Sequence, residues 1–344
     1  MARDDTAQQL KPAFSSSATA PATALWYVAP RECALNAETL PEPGAQDCLV
    51  RTLWSGVSRG TERLVFEGRV PVGEYERMRA PFQQGAFPFP VKYGYCAVGV
   101  VDAGPHHMLG ETVFCLHPHQ DRFIAAADRL TRVPSTVPAR RAILAANMET
   151  ALNAHWDAGS GPADRIVVVG GGVIGLLVAW LAARLPGAQV TLVDVDETRR
   201  PLANRLGFGF AKPEAAPGDA DIVFHASASA AGLATAIGCA GVEARIVERS
   251  WYGEGTVAAA LGGPFHSRRL QLLSSQVGQV SPSRRSRWSY ARRSVAAMAL
   301  LADDRLDALI TDEFPFGEAP ERLPRLLAPG AAGLTAAICY GKPS

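Results

Sequence analysis

The chain has 344 residues, of which 48% are hydrophobic and 19% are charged, as expected for a globular protein large enough to form two domains. Its 34 Lys and Arg residues almost equal its 33 Asp and Glu residues, and this balance argues against nucleic acid or a membrane surface as the main partner. The six cysteines are scattered without a C-x-x-C pair, and no apolar stretch is as long as a membrane span, so we expect a reduced, cytoplasmic protein.

The first half of the chain is predicted to be rich in β-structure. Residues 1–22 are small and polar, lack the apolar segment of a secretory signal and are predicted to form a disordered extension. From residue 25 to about residue 133, short β-type runs such as 48–54, 97–102 and 112–116 alternate with Gly and Pro. This spacing predicts a small β-barrel or sandwich.

The second half is predicted to be a doubly wound parallel sheet. Residues 138–156 have helical spacing, and from Arg165 onward strand and helix patterns alternate, with a further helix predicted over 290–301. The predicted strands are 166–169, 190–193, 222–225, 245–248 and 270–274.

Three glycines follow the first of these strands with the spacing G-x-G-x-x-G, at Gly170, Gly172 and Gly175. Between a β-branched strand and a long apolar helix, this pattern is typical of a dinucleotide-binding βαβ unit. The helix begins at Val173 and Ile174, so we expect its free N–H groups and positive dipole end to face the pyrophosphate.

A carboxylate completes this motif, because Asp194 stands nineteen residues after Gly175 at the end of the next strand. We expect Asp194 to accept hydrogen bonds from the adenosine ribose and to repel a 2′-phosphate, which favours NAD(H) over NADP(H) as cofactor. His225 and Ser227 follow a later strand and are expected near the adenosine or nicotinamide ribose, where they would shape the cofactor site.

With these motifs the chain resembles the medium-chain dehydrogenase/reductase superfamily from about residue 24 to residue 340. The segments that carry the resemblance are 170–184 (GGGVIGLLVAWLAAR), 193–199 (VDVDETR), 202–207 (LANRLG) and 310–316 (ITDEFPF). The resemblance implies an α/β protein with a GroES-like β-rich catalytic domain over 23–150 and a Rossmann domain with a doubly wound parallel sheet over 151–292. A C-terminal segment, 293–344, would return to the catalytic domain.

The resemblance also implies a homodimer and further cofactor-binding residues. Arg59 corresponds to a basic position that touches the pyrophosphate, and Arg199 lies in the second of the motifs. Both roles are chemically reasonable, because a guanidinium group matches phosphate oxygens with two parallel hydrogen bonds.

The motifs SGVSRGTE at 55–62, FHSRRL at 265–270 and SSQVG at 274–278 resemble a zinc-less subgroup of this superfamily, near bacteriochlorophyllide a dehydrogenase. Ser58 stands where the zinc alcohol dehydrogenases have a cysteine ligand, and Tyr95 stands within their Gly-His-Glu position. Ala146-Asn147 falls where the polyol dehydrogenases have Glu-Pro. Zinc requires thiolate, imidazole or carboxylate ligands, so we expect no zinc.

Two alternatives stay open at this point. A zinc-dependent alcohol dehydrogenase with atypical ligands would bind its metal through Cys96, Cys115, His117 and His119. A non-catalytic NAD(H)-binding sensor or scaffold would bind the cofactor without turnover.

Without a metal, the substrate oxygen needs a proton donor. Tyr95 is the first candidate for this catalytic role. Ser58 and Thr61 lie on one turn and would relay a proton or position the substrate, although turn capping also explains these residue types. Glu149 stands in an apolar helical stretch, where it is either an acid with a raised pKa or the partner of an arginine or hydrogen-bond donor at the domain interface.

The sequence therefore predicts an NAD(H)-dependent, zinc-independent oxidoreductase. It would transfer hydride between nicotinamide and the carbonyl or alcohol carbon of a small molecule, with a quinone or enone as the other possible acceptor. An acidic substrate group is expected if Arg268 or Arg269 lines the cleft.

Overall fold

The computed structural model describes residues 21–341. Residues 1–20 of the predicted N-terminal extension lie outside the described residues, while Pro21 and Ala22 already belong to the first strand. No helix within residues 21–341 is both long enough and apolar enough to cross a membrane.

The first part of the chain is built from antiparallel strands. Its strands are β1 (Pro21–Ala29), β2 (Glu32–Thr39), β3 (Asp47–Val57), β4 (Gln84–Gly85), β5 (Val91–Lys92), β6 (Ala97–Ala103), β7 (Thr112–Cys115), β8 (Arg122–Ala126) and β9 (Thr131–Arg132). Its helices are α1 (Arg59–Phe66), α2 (Ala139–Ala142) and α3 (Ala145–Ala158).

The second part alternates strands and helices. Its strands are β10 (Arg165–Val169), β11 (Gln189–Val193), β12 (Gly209–Ala211), β13 (Ala220–His225), β14 (Ala240–Glu248) and β15 (Gln271–Ser274). Its helices are α4 (Val173–Ala182), α5 (Arg200–Leu206), α6 (Ala230–Cys239) and α7 (Pro264–Ser267). The remaining elements are α8 (Tyr290–Leu300), β16 (Ile310–Pro315), α9 (Ala319–Leu326) and β17 (Thr335–Cys339).

Strand β3 is central to the β-rich domain, because it pairs with β6, β8 and β17. The larger sheet has the order β16-β17-β3-β6-β7-β9, and a smaller sheet has the order β2-β1-β5-β4. Because β16 and β17 extend the β3 sheet, the end of the chain returns to the first domain.

The Rossmann sheet is parallel throughout, in the order β12-β11-β10-β13-β14-β15. Strand β10 lies at its centre with four of its five residues buried. Such continuous β-branched runs suit strands covered by helices on both faces. The order reverses between β10 and β13, which is where this class of sheet binds ligands, beyond the carboxyl ends of the strands.

Helix α3 joins the two domains, because it packs against α4 and α8 and carries mostly buried residues. The α/β fold class is confirmed. The predicted strands and the helix over 290–301 are also confirmed to within a few residues, except that β14 begins earlier than predicted, at residue 240. Two details differ: the helix predicted over 138–156 is divided into α2 and α3 around Ile143, and β12 was not predicted. The domain boundaries at residues 22, 150 and 292 stay predictions.

Candidate active site

The glycine-rich loop after β10 owes its shape to two glycines. Gly170 has φ = +111°, and a Cβ there would lie 2.6 Å from the backbone nitrogen of Ser227. A Cβ on Gly175 would overlap the carbonyl oxygen of Gly170, so α4 packs directly against the loop. Larger residues at either position would displace the start of α4 from the sheet.

The amino end of α4 faces open space. Gly172 is the N-cap residue, no side chain caps this end of the helix, and a Cβ on Gly172 would meet no atom within 4 Å. The first helical residues, Val173 and Ile174, therefore have backbone N–H groups beside an open surface. This is the cradle that a dinucleotide pyrophosphate requires, so the loop fits such a cofactor.

Asp194 follows β11 and contacts this loop. Its carboxylate accepts hydrogen bonds from the backbone N–H groups of Gly171 and Asp196, the latter at 2.7 Å. These bonds hold the carboxylate beside the loop, at the position from which the corresponding residue of a βαβ unit binds the adenosine ribose.

Two arginines approach the loop from opposite domains. A Cβ on Gly171 would lie 3.0 Å from the Cγ atom of Arg199. The pKa of Arg59 is lowered mainly by burial, and the positive charge of nearby Arg199 contributes to this lowering. Arg59 donates hydrogen bonds to the carbonyl oxygens of Ala331 (2.7 Å) and Ala332. The guanidinium of Arg59 is thus held between α1 and the 331–333 loop, next to the cofactor cradle.

Ser227 lies just beyond the carboxyl end of β13. Its hydroxyl is 2.7 Å from Nε2 of His225, and Nδ1 of His225 is 2.8 Å from a carboxylate oxygen of Glu248. His225 is fully buried, whereas Ser227 is partly exposed at the edge of the loop. The structure therefore brings Ser227 to the predicted cofactor site as part of a Ser–His–Glu chain.

Tyr95 stands where the two domains meet. It packs against the core of the β-rich domain and against the core that includes α3, α4 and the Rossmann sheet. Burial raises the pKa of the Tyr95 phenol well above its ordinary value, and the nearby Ser58 hydroxyl opposes this rise. The phenol therefore remains protonated, with a second hydroxyl beside it.

Ser58 is the N-cap residue of α1, so the turn-capping alternative holds for its backbone. Its N–H donates to a carboxylate oxygen of Glu62 at 2.6 Å, and its carbonyl accepts from the N–H of Glu62 at 2.9 Å. No side-chain hydrogen bond caps the helix, which leaves the Ser58 hydroxyl available to Tyr95. Thr61 is the third residue of the same helix and is partly buried.

The Glu62 carboxylate is fully buried and connects several parts of the β-rich domain. One oxygen accepts hydrogen bonds from the Tyr27 hydroxyl at 2.8 Å and from Nε2 of His119 at 3.0 Å. Nδ1 of His119 lies 2.7 Å from the Ser55 hydroxyl, which lies 2.9 Å from the Tyr340 hydroxyl. His119 is thus part of a hydrogen-bonded network.

The four residues of the alternative metal site do not come together. His117 stacks on Phe123 at 4.0 Å between ring centroids, and burial lowers its pKa to about 3. Within residues 21–341 no three His, Cys, Asp or Glu side chains are grouped so as to hold a metal ion. Nor do Ser58 and Tyr95 fit a zinc site, since their hydroxyls are poor zinc donors.

Glu149 forms an ion pair, which is one of the two roles that the sequence left open for it. Nε of Arg293 in α8 lies 3.0 Å from its carboxylate, with both side chains about 95% buried, and Arg293 also donates to Asn153 at 3.0 Å. Burial raises the pKa of Glu149, while the charge and hydrogen bond of Arg293 oppose the rise. This pairing favours a role in joining α3 to α8.

Arg268 and Arg269 lie at the amino ends of the Rossmann strands, away from the cofactor edge. Arg268 donates to the carbonyl oxygen of Ala240 at 2.8 Å, and Arg269 pairs with Glu243 at 3.2 Å. Neither supports an acidic substrate group.

Sequence reasoning missed one contact between the domains. The loop after β14 reaches the β-rich domain, where Trp251 packs against its core and a Cβ on Gly253 would lie 2.7 Å from the carbonyl oxygen of Arg69. In the sequence, the sign of this contact is an aromatic residue in a loop, and such a residue does not by itself predict which part of the protein it contacts. Tyr93, Tyr95 and Trp251 all belong to this aromatic region, which borders the junction of the domains.

Comparisons with known proteins agree with this geometry. Residues 124–207 match the model of the pyridine nucleotide-disulphide oxidoreductase family. The 2-desacetyl-2-hydroxyethyl bacteriochlorophyllide A dehydrogenase of Rhodobacter capsulatus is 26% identical over 311 residues, which are 85% of this chain and 90% of that protein.

Two solved structures share the fold. A dehydrogenase of Sinorhizobium meliloti that is described as zinc-binding and is bound to NADP superposes with a TM-score of 0.75 at 19% identity, over 93% of this chain and 100% of that one. A short chain alcohol dehydrogenase of Escherichia coli in complex with NADH also gives a TM-score of 0.75, at 15% identity, over 93% of this chain and 99% of that one. Over most of its length the chain is therefore similar to these dehydrogenases, and it shares the fold of the solved ones, a β-rich domain followed by a parallel Rossmann sheet.

Proposed function

We propose that this protein is an NAD(H)-preferring, zinc-independent oxidoreductase that interconverts a carbonyl group and an alcohol. The observation that carries the proposal is the place of Tyr95 at the junction of the two domains, where its side chain packs against both cores and stands at a position that holds metal ligands in the zinc enzymes. Burial raises the pKa of its phenol well above the ordinary value, which supports a role as proton donor. When bound, the nicotinamide ring supplies or accepts hydride, and the protein must provide the proton.

The cofactor would be held by the loop and its neighbours. Gly170, Gly172 and Gly175 allow the backbone to approach the pyrophosphate, with the N–H groups of Val173 and Ile174 beside it. Arg59 and Arg199 would balance the phosphate charge from the two domains, and Ser227 would border the second nucleotide. Asp194 would bind the adenosine ribose and repel a 2′-phosphate, which supports NAD(H) over NADP(H).

Tyr95 would serve as the proton donor in the direction of reduction. Because burial keeps its phenol protonated, Tyr95 can donate a hydrogen bond to a carbonyl oxygen and transfer the proton as hydride arrives at carbon. Ser58 would relay a proton to the phenolate, passing on its own proton while it receives one from solvent water, and Thr61 is a second hydroxyl on the same helix. By microscopic reversibility, oxidation of the alcohol would need the phenolate as base, so the raised pKa of Tyr95 favours the direction of reduction.

An alcohol or ketone attached to a planar conjugated ring is the substrate class that we propose. The name of the Rhodobacter relative specifies a hydroxyethyl substituent in place of an acetyl group on a large ring. The aromatic side chains of Tyr95 and Trp251, both partly buried near the junction, suit such a ring, since offset stacking favours flat partners. Acetophenone and 1-phenylethanol are the simplest probes of this class.

We also propose a homodimer. Strand β15 ends the Rossmann sheet and, within residues 21–341, pairs with β14 alone. Its Leu272 side chain is 40% exposed, so a second copy could extend the sheet across this edge.

Replacing Gly172 by Val should abolish NADH binding with little loss of stability. A Cβ on Gly172 meets no protein atom, so the valine is accommodated by the fold and occupies the space of the pyrophosphate. NADH fluorescence titration and thermal unfolding measure the two effects. Gly238→Val is the matched control, because its Cβ also meets no atom but lies in α6; unchanged NADH affinity in Gly172→Val would refute the cofactor site.

Asp194→Ala should reduce the preference for NADH over NADPH about tenfold or more, because the carboxylate that repels the 2′-phosphate is lost. The ratio of the two dissociation constants measures this change. Asp128→Ala is the control, since Asp128 is an exposed carboxylate in the turn before β9 of the β-rich domain. If the ratio is the same in Asp194→Ala as in the parent protein, another residue discriminates between the cofactors.

Tyr95→Phe should lower the reduction rate of acetophenone by about 10²–10⁴-fold and leave NADH affinity unchanged, because the proton donor is removed and the cofactor cradle is not. Single-turnover oxidation of bound NADH measures the rate. Tyr93→Phe, 6.1 Å away in the same aromatic cluster, is the control and should retain activity. Full activity in Tyr95→Phe would exclude Tyr95 as the donor.

A further inference from the structure

In the Ser–His–Glu chain at the carboxyl edge of β13 and β14, each hydrogen bond has a defined donor and acceptor. The Glu248 carboxylate accepts hydrogen bonds from the Ser250 N–H at 2.7 Å and from the Tyr252 hydroxyl at 3.2 Å, besides His225. Burial alone would raise the pKa of Glu248, but its bonds with His225 and Ser250 outweigh this and lower it. Glu248 is therefore an ionised acceptor.

An ionised Glu248 determines the proton positions on His225. The Nδ1 atom must carry a proton, which it donates to Glu248, so that in the neutral imidazole Nε2 is an acceptor. The only hydroxyl within hydrogen-bond distance of Nε2 among the described residues is that of Ser227, which must therefore donate to His225. With its proton engaged, the Ser227 oxygen acts as an acceptor. The Ser229 hydroxyl, 3.0 Å away, can donate to one of its lone pairs, which leaves the other lone pair for a ligand.

The position of Ser227 identifies what it faces. In a sheet of this type each half binds one nucleotide, and the order here reverses between β10 and β13. Asp194 after β11 belongs to the adenosine half, so Ser227 after β13 belongs to the nicotinamide half. Its backbone nitrogen lies against Gly170, and Gly232 of α6 leaves room for its hydroxyl, which a Cβ there would overlap.

We propose that Glu248 and His225 hold the Ser227 hydroxyl as a hydrogen-bond acceptor for a ribose hydroxyl of the nicotinamide nucleoside. Ser227 is the binding residue, whereas His225 and Glu248 are positioning residues that fix its proton. The inference rests on the nicotinamide cofactor of the proposed function. It gives a role to the fully buried His225 and to the carboxylate behind it.

The test compares three ligands that differ in their second nucleotide half. NADH and ADP-ribose contain the second ribose, whereas AMP contains the adenosine half alone. In Ser227→Ala the dissociation constants of NADH and ADP-ribose should rise about three- to tenfold, the loss of one neutral hydrogen bond, while that of AMP stays unchanged. His225→Phe should weaken the same two ligands by a smaller factor, because the hydroxyl remains but its proton is no longer fixed.

Thr235→Ala is the matched control, since it removes a hydroxyl in α6 that donates to the carbonyl oxygen of Ala231 at 3.0 Å and lies outside the Ser–His–Glu chain. It should leave all three affinities unchanged. Unchanged NADH affinity in Ser227→Ala would overturn the proposal, as would equal weakening of AMP and NADH, because the chain would then support the loop and not the ribose. If the parent protein binds AMP but neither NADH nor ADP-ribose, the proposed cofactor itself is wrong.

Discussion

The buried carboxylate of Glu62 is the constraint on which the candidate site depends. A carboxylate without partners in this position would cost several kcal/mol, and the structure provides donors from Tyr27, His119 and the Ser58 backbone. These bonds tie β1 and the segment after β7 to the start of α1. His119 in turn supports Gly94, because its backbone nitrogen would lie 2.9 Å from a Cβ there.

This arrangement positions the two proposed proton-transfer groups. Ser58 begins α1, next to the Glu62 carboxylate, and Tyr95 directly follows Gly94. The hydrogen-bonded network of Glu62 and His119 lies beneath both positions. Since Glu62 and His119 are fully buried, the network is shielded from water, which strengthens its hydrogen bonds.

The glycine spacing and Asp194 made the Rossmann unit predictable, because Gly170 and Gly175 answer local steric needs and Gly172 keeps the end of α4 open. The β-rich domain was predictable as a class from the Gly and Pro punctuation of short strands. The pairing of Glu149 with Arg293 was foreseen only as an alternative, since the two residues are 144 positions apart. The Glu62–His119 contact and the approach of Trp251 were not predictable, because they depend on how distant segments pack and no local pattern records them.

Zinc content decides the central claim most directly. Plasma mass spectrometry on protein purified without chelator, and again after incubation with zinc and removal of the excess, should find far less than one zinc per chain in both samples. Acetophenone reduction should be unaffected by a chelator. Stoichiometric zinc whose removal abolishes turnover would contradict the account, and would mean that the hydroxyls of Ser58 and Tyr95 are not the groups that act on the substrate oxygen.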